Sequence, residues 1–231
     1  GNINRPDEQV LDDTDRYGIE VALQLKEKFD AEVTVISMGS LGTEKGIQQA
    51  LQMGPDGALV LEDDSLSGSN SLMTANVLSE LSKKVEADIT IFGTESTDGY
   101  SGVIPQQVSR MLGVPCISYI KAVDIDESVT LTRQTSTGSE KVVMPANCVL
   151  SVTAGGVEPR YPNFKDIMAA KSKPIERISI ADINYDAQQN LEFVDIKDVS
   201  TTKQGEKIID EGEGFQIIID KLKELKAIWK H

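Results

Sequence analysis

Short apolar runs that alternate with segments of helical spacing leave this chain few folds to choose from. Val33, Val35 and Ile36 lead into Ser37-Met38-Gly39-Ser40, Ala58-Leu59-Val60-Leu61 stops at Glu62-Asp63-Asp64, and Ile89-Thr90-Ile91-Phe92 ends at Gly93. Between and around them lie amphipathic stretches. One runs from an Asp15 cap through Ile19, Ala22, Leu23 and Leu25 to about Phe29, and one through Ile47, Ala50 and Leu51 to Gly54-Pro55. Two more cover Leu72 to Val85 and Val103 to Leu112, the latter closed by Gly113. Strand runs this short and this apolar suit a sheet buried on both faces, and helices between them supply right-handed crossovers. The expected class is α/β, a Rossmann-like, doubly wound and mostly parallel sheet.

From Cys116 the rhythm changes. Ile117–Ile120, Val129–Thr132 and Val142–Met144, joined through Asp126-Glu127-Ser128 and Ser136-Thr137-Gly138-Ser139, read as an antiparallel meander. Cys148–Val152 reads as a return to the main sheet. Beyond Lys173-Pro174 the chain is acidic and poor in core residues until Ile218, Leu222, Leu225 and Trp229 repeat at helical spacing. The expected division is therefore a domain over 1–173 and a C-terminal arm over 174–231 ending in a helix, packed on its own domain or clasped by a partner. Residues Gly1 to Thr14 read as a polar loop.

Composition removes several function classes. A net charge of −14 argues against a general phosphate-backbone binder, whose affinity comes from clustered Lys and Arg. No run approaches the roughly 18 apolar residues of a spanning helix and the N-terminus has no signal pattern, so a soluble protein, cytoplasmic or organellar, is expected. Cys116 and Cys148 sit in apolar runs and read as reduced, buried thiols. The single histidine, His231, is not expected to anchor a catalytic centre.

Ligands of open parallel sheets sit beyond the carboxyl ends of the strands, where helix N-termini offer free N–H groups. The loops at Met38-Gly39 and Gly93–Gly102 have that form. Gly99 and Gly102 permit close backbone approach, Ser96 and Ser101 offer hydroxyls, and the amides of Gly102, Val103 and Ile104 lead the next helix. Neither GxGxxG nor a Walker-type loop is present, and the same glycines also suit a plain βα turn. Glu158 to Lys171 has a different character. Pro159 and Pro162 flank Arg160 and Tyr161, and a short helix from about Asn163 carries Phe164, Ile167 and Met168 on one side. Aromatics, Met and Arg on a stiffened loop are what protein contacts concentrate their energy on. The blander reading makes Ile167 and Met168 helix core, and Glu158 with Arg160 a local ion pair.

These residues resemble the beta subunit of the electron transfer flavoprotein family. The likeness is carried by Asp15–Leu23, by Gly39 with Ala50-Leu51-Gln52-Met53-Gly54, by Gly93 and Asp98-Gly99, and most specifically by Glu158-Pro159-Arg160-Tyr161-Pro162 continuing to Ile167–Lys171. It spans roughly residues 5–183. It implies an electron carrier with no catalysis of its own, paired with an alpha subunit that holds the redox-active FAD. It also implies AMP in this chain, or a second FAD in electron-bifurcating members. Nucleotide contacts would fall on Met38, Gly39, Ser96, Gly99, Gly102, Val103 and Ile104. The segment 158–171 would be the recognition loop, with Glu158, Arg160, Tyr161, Phe164, Ile167 and Met168 docking dehydrogenases of the acyl-CoA type. Electrons would pass on to a quinone oxidoreductase or another acceptor, as in fatty acid oxidation.

Three departures stand out. The family's opening strand and its Lys-Gln-Val-Pro-like stretch are not found ahead of residue 5, and Asp12 places an extra carboxylate where phosphate would approach. Phe164 stands where the family commonly has Leu, so a roomier partner pocket is implied. From another class, an ATP-using or nucleotide-sensing protein would need a metal-holding acidic pair. Asp63-Asp64 is the one candidate, although a solvated strand end explains it as well.

Overall fold

The computed structural model describes residues 9–39, 43–185, 194–195, 207, 209–210 and 212–227. Two compact units divide the chain, Gly1–Glu192 and Phe193–His231. In chain order the first unit contains α1 (Asp15–Phe29), β1 (Thr34–Gly39), α2 (Glu44–Met53), β2 (Gly57–Glu62), α3 (Ser71–Lys84) and β3 (Ile89–Gly93). It continues with α4 (Ile104–Leu112), β4 (Cys116–Ile125), β5 (Val129–Thr135), β6 (Gly138–Val143), β7 (Cys148–Val152), α5 (Phe164–Ala170) and β8 (Ile175–Ile178). The second unit contributes α6 (Gly214–Glu224).

The strands form an α/β architecture of two sheets. One is parallel throughout in the order β1-β2-β8, and the other runs β3-β7-β4-β5-β6, parallel as far as β4 and antiparallel through the meander. Alternation along β2 sends successive side chains to opposite faces. Leu59 and Leu61 pack with Met73, Val77 and Leu81 of α3, while Ala58 and Val60 pack with Ile47 and Leu51 of α2 and Ala170 of α5. The larger sheet is covered likewise. Val21 and Leu25 of α1 close over Ile117, Ile120, Leu131 and Leu150, and Ala75 of α3 and Val108 of α4 close over Val149. Each of the large side chains buried here contributes about 1.5–3 kcal/mol relative to exposure.

Several expectations shift in detail. The N-cap of α1 is Thr14, so Asp15 lies in the first turn and is not the cap. The meander strands are longer than expected, and β4 carries a bulge at Tyr119, whose φ of 60° is held by its N–H donating to Ser151 Oγ at 3.0 Å. The hairpin from β5 to β6 turns on Ser136 and Thr137 alone, with Thr135 opposite Gly138. β8 falls in the segment the sequence assigns to an arm, yet it pairs in register with β2. Its Arg177 bridges Glu62 at 2.6 Å and also Glu44 of α2. Helix α6 is shorter than the pattern through Trp229 suggests, and Trp229 lies outside the described residues. Cys116 and Cys148 are both free thiols, the first half-buried and the second buried.

Candidate functional site: two loops beyond β3 and β7

The centre of the loop after β3 is held by bonds among its own residues, and its start is tied to β7 by Thr94 Oγ1 donating to the Val152 carbonyl at 3.2 Å. Ser96 accepts at its carbonyl from the Tyr100 N–H at 3.0 Å and at Oγ from the Gly99 N–H at 3.3 Å, and Asp98 Oδ1 accepts from Gly99 at 2.6 Å. Tyr100 and Gly102 have left-handed φ of 46° and 62°. Gly102 is the residue that bears this without cost, and it turns the chain into α4, whose N-cap is Val103 with Pro105 in the first turn. Among the described residues no hydrogen bond uses the N–H groups of Gly102, Val103 or Ile104. They stand at the positive end of the α4 dipole, as a bound anion requires.

Carboxylates gather around the same loop. Glu95 Oε2 lies 3.3 Å from where a Cβ on Gly102 would stand, and Asp15 Oδ1 lies 3.3 Å from the corresponding point on Gly93. Protein crowds Asp15 from most directions although solvent reaches its side chain, and this desolvation, with the Asp12 charge adding to it, pushes the carboxyl up to about 6. Desolvation also works against the Asp12 charge, but hydrogen bonds from Thr14 and Thr97 outweigh it and hold Asp12 below its ordinary value. The Thr97 bond ties the segment before α1 to the loop after β3.

Met38 and Gly39 end β1 in the smaller sheet, and among the described residues no hydrogen bond joins them to the Ser96–Ile104 group. A Cβ on Gly39 would stand 2.6 Å from Thr43 Cγ2. Ser40, singled out in the sequence, lies outside the described residues. Asp63, half of the acidic pair, has structural work for both oxygens: Oδ1 accepts from Ser65 N and Oγ, and Oδ2 from the Ile180 N–H at 3.1 Å.

The segment from Glu158 to Lys171 is fixed at both ends and exposed between them. Val157 packs on the core beneath α1. Arg160 then reaches α1, donating from Nε to Glu20 Oε2 at 2.8 Å, from one terminal nitrogen to Glu20 Oε1 at 3.0 Å, and from the other to Glu27. Its backbone N–H also reaches Glu20 Oε2, at 3.1 Å. Glu20 is only 4% exposed. Burial penalises its charge, but the bonds from Arg160 and Gln24 prevail and hold the carboxyl below its ordinary value, so the tether persists at neutral pH and weakens only as pH falls below the usual carboxylate range. The local Glu158–Arg160 pair allowed by the sequence is replaced by this long-range one.

Past the tether, Tyr161 is 92% and Phe164 80% exposed, Met168 is exposed, and Ile167 is half-buried. Asn163 caps α5 by accepting from the Asp166 N–H at 2.9 Å. At the far end Ala170 is buried against α2, and Lys173 Nζ donates to the Leu51 carbonyl at 2.9 Å. An apolar tip is thus displayed on a loop whose ends cannot wander.

Comparison with known proteins decides the family. The electron transfer flavoprotein domain matches residues 1–183. The electron transfer flavoprotein subunit beta of Mycobacterium leprae is 36% identical over 234 residues, covering 95% of this chain and 87% of the relative. The chain belongs to the electron transfer flavoprotein beta-subunit family. The subunit beta of Bacillus subtilis is 31% identical over 183 residues, covering 78% of this chain and 71% of the relative, and that of Clostridium acetobutylicum 29% over 225 residues. As an electron transfer flavoprotein subunit, the protein has both of its singled-out loops inside the matched domain. Missed by sequence reasoning were Glu20 and Glu27, which carry the tether, and the charge that Glu95 and Asp15 bring to the loop after β3. In the sequence, Glu20 signals itself only as an acid at i+1 from Ile19 and i−1 from Val21, amid the apolar stripe of α1.

Proposed function

We propose that this chain is the non-catalytic half of a heterodimeric electron transfer flavoprotein, binding AMP beyond β1 and β3 and docking dehydrogenases through residues 158–171. The observation that carries the reading is the tethered loop displaying Tyr161, Phe164 and Met168. Solvated aromatics are costly to keep, and on a fixed loop they suit insertion into a partner's pocket. FAD, held mainly by an alpha subunit, would supply the electron-carrying chemistry. This chain's residues bind and orient.

The AMP assignment rests on a fit that is good at one end. The unclaimed amides of Gly102, Val103 and Ile104 suit a phosphate at the head of α4, and Ser96 and Gly99 shape the loop. The neighbouring Glu95, Asp12 and Asp98 oppose an anion, and Asp15, with its raised affinity for a proton, opposes it less than a fully ionised group does. Helix α6 and its C-cap expose Phe215, Ile218 and Leu225, an apolar stripe that association with an alpha subunit would cover. Electrons would arrive from acyl-CoA-type dehydrogenases and leave to a quinone oxidoreductase.

Co-expression with an alpha-subunit candidate, followed by cofactor extraction, tests the reading. One AMP and one FAD per heterodimer are expected. Two FAD and no AMP would replace the AMP assignment with a second, bifurcating flavin, and a monomer free of nucleotide would end the reading.

A further inference from the structure

We propose that Glu20 of α1 is the positioning residue of the docking loop: its buried carboxylate receives Arg160 and so sets Tyr161 and Phe164 in their exposed arrangement before a partner arrives. The inference rests on the reading of 158–171 as the docking segment and assigns the element that makes that segment work.

A carboxylate on the buried face of an amphipathic helix is expensive unless every lone pair is matched. At Glu20 they are matched in an organised way. Gln24, one turn on, donates Nε2 to Oε1 at 2.9 Å and orients the group, after which Arg160 supplies its fork to both oxygens and its own N–H to Oε2. Val21, Leu23 and Leu25 around it are all buried, so the acid interrupts the buried face of α1 for a partner 140 residues away in sequence. Glu27, on the exposed rim, takes the remaining Arg160 nitrogen.

The chain around Arg160 transmits this hold. Pro159 and Pro162 restrict the backbone on either side, so fixing Arg160 fixes the direction of Tyr161 and the approach to Asn163, which caps the helix carrying Phe164. Below the tether, Gly156 approaches the β4 backbone so closely that a Cβ would stand 2.8 Å from Lys121 Cα. A loop prepared in this way loses little freedom on binding, which is the usual route by which a rigid contact element gains affinity without new contacts. A lysine cannot substitute, since one ammonium does not span both oxygens and Glu27.

The test uses the co-expressed, FAD-loaded heterodimer with an acyl-CoA dehydrogenase and its acyl-CoA as electron source. Glu20→Gln and Arg160→Lys are expected to raise the half-saturating dehydrogenase concentration about 5- to 20-fold, equivalent to the ordering of one or two side chains, with dithionite reduction of the flavin unchanged and, in Glu20→Gln, the limiting rate unchanged as well. Hydrogen exchange at the Arg160 and Tyr161 amides should accelerate in the absence of any partner. Glu27→Gln, which cannot unfold the core from its exposed position, should give about a twofold shift. Wild-type exchange and half-saturation in Arg160→Lys and Glu27→Gln overturn the proposal even if Glu20→Gln fails to fold. Phe164→Asp separates the two layers: if it is impaired while the tether variants behave as wild type, only the positioning role falls, and if it is itself unaffected, the docking reading falls with it.

Discussion

The two loops proposed to hold a nucleotide and to dock a partner leave neighbouring parallel strands, β3 and β7, yet are built on different principles. The loop after β3 bonds mostly to itself over one to four residues, with single side-chain ties from Thr97 to Asp12 and from Thr94 to the Val152 carbonyl, and among the described residues it leaves three helix-leading amides unclaimed amid carboxylates. The loop after β7 is bonded to α1, 140 residues away, and shows solvent an apolar tip. A surface meant for a large partner gains from arriving preformed, because ordering it on contact costs affinity. A loop that takes a small anionic ligand can keep unpaired donors, because the ligand would satisfy them. The contrast teaches that exposure and order are separate properties: the most exposed aromatics sit on the more firmly tied segment.

Substitutions can break this contrast from either side. Gly156→Ala should have the largest effect on stability, about 2 kcal/mol, because the new Cβ meets backbone at Lys121, Ile120 and Thr153 that cannot yield. Thermal melting of the heterodimer measures it, and an unchanged Tm would show that the base of the docking loop is looser than described here. Gly102→Ala should cost about 1 kcal/mol for its left-handed φ of 62°. It should reduce AMP retention while leaving dehydrogenase half-saturation alone, and equal losses in both would merge the two loops into one unit.

The smallest effect is expected at Asp15. A carboxyl raised to about 6 in the fold keeps its proton to higher pH than the unfolded chain does, so its ionisation weakens the fold as pH rises from about 4 through 6. Asp15→Asn removes that cost. Since solvent reaches the group, the gain should be modest, about 0.5 kcal/mol at pH 7.5 and vanishing towards pH 4, read as a pH-dependent difference in Tm. A variant less stable at every pH would give Asp15 a structural bond in place of an electrostatic burden.

Legibility in the sequence followed the range of the forces involved. The parallel strands, their helices and the meander were visible because periodicity is local, and the exposed apolar tip at Tyr161 and Phe164 was visible because prolines and aromatics announce themselves. β8 was hidden. Only Ile175 and Ile178 of its four residues are apolar, and its central Glu176 and Arg177 are exposed, with Arg177 bound to Glu62 and Glu44. The partner of Arg160 was also hidden, since adjacency in sequence suggested Glu158 and only the fold brings Glu20 to it. The charge of the nucleotide loop was half legible: Glu95 and Asp98 lie within the loop, whereas Asp12 and Asp15 reach it from the start of α1.

The central claim is that a preformed apolar tip docks the electron donor while the rest of the chain supports an FAD-bearing partner. Its most direct test is the rate of FAD reduction by an acyl-CoA dehydrogenase in the Phe164→Asp heterodimer, with dithionite reduction and heterodimer yield as controls. The account predicts a fall of at least about tenfold at limiting dehydrogenase, the loss of roughly one buried aromatic anchor, with both controls unchanged. Reduction at the wild-type rate would contradict it.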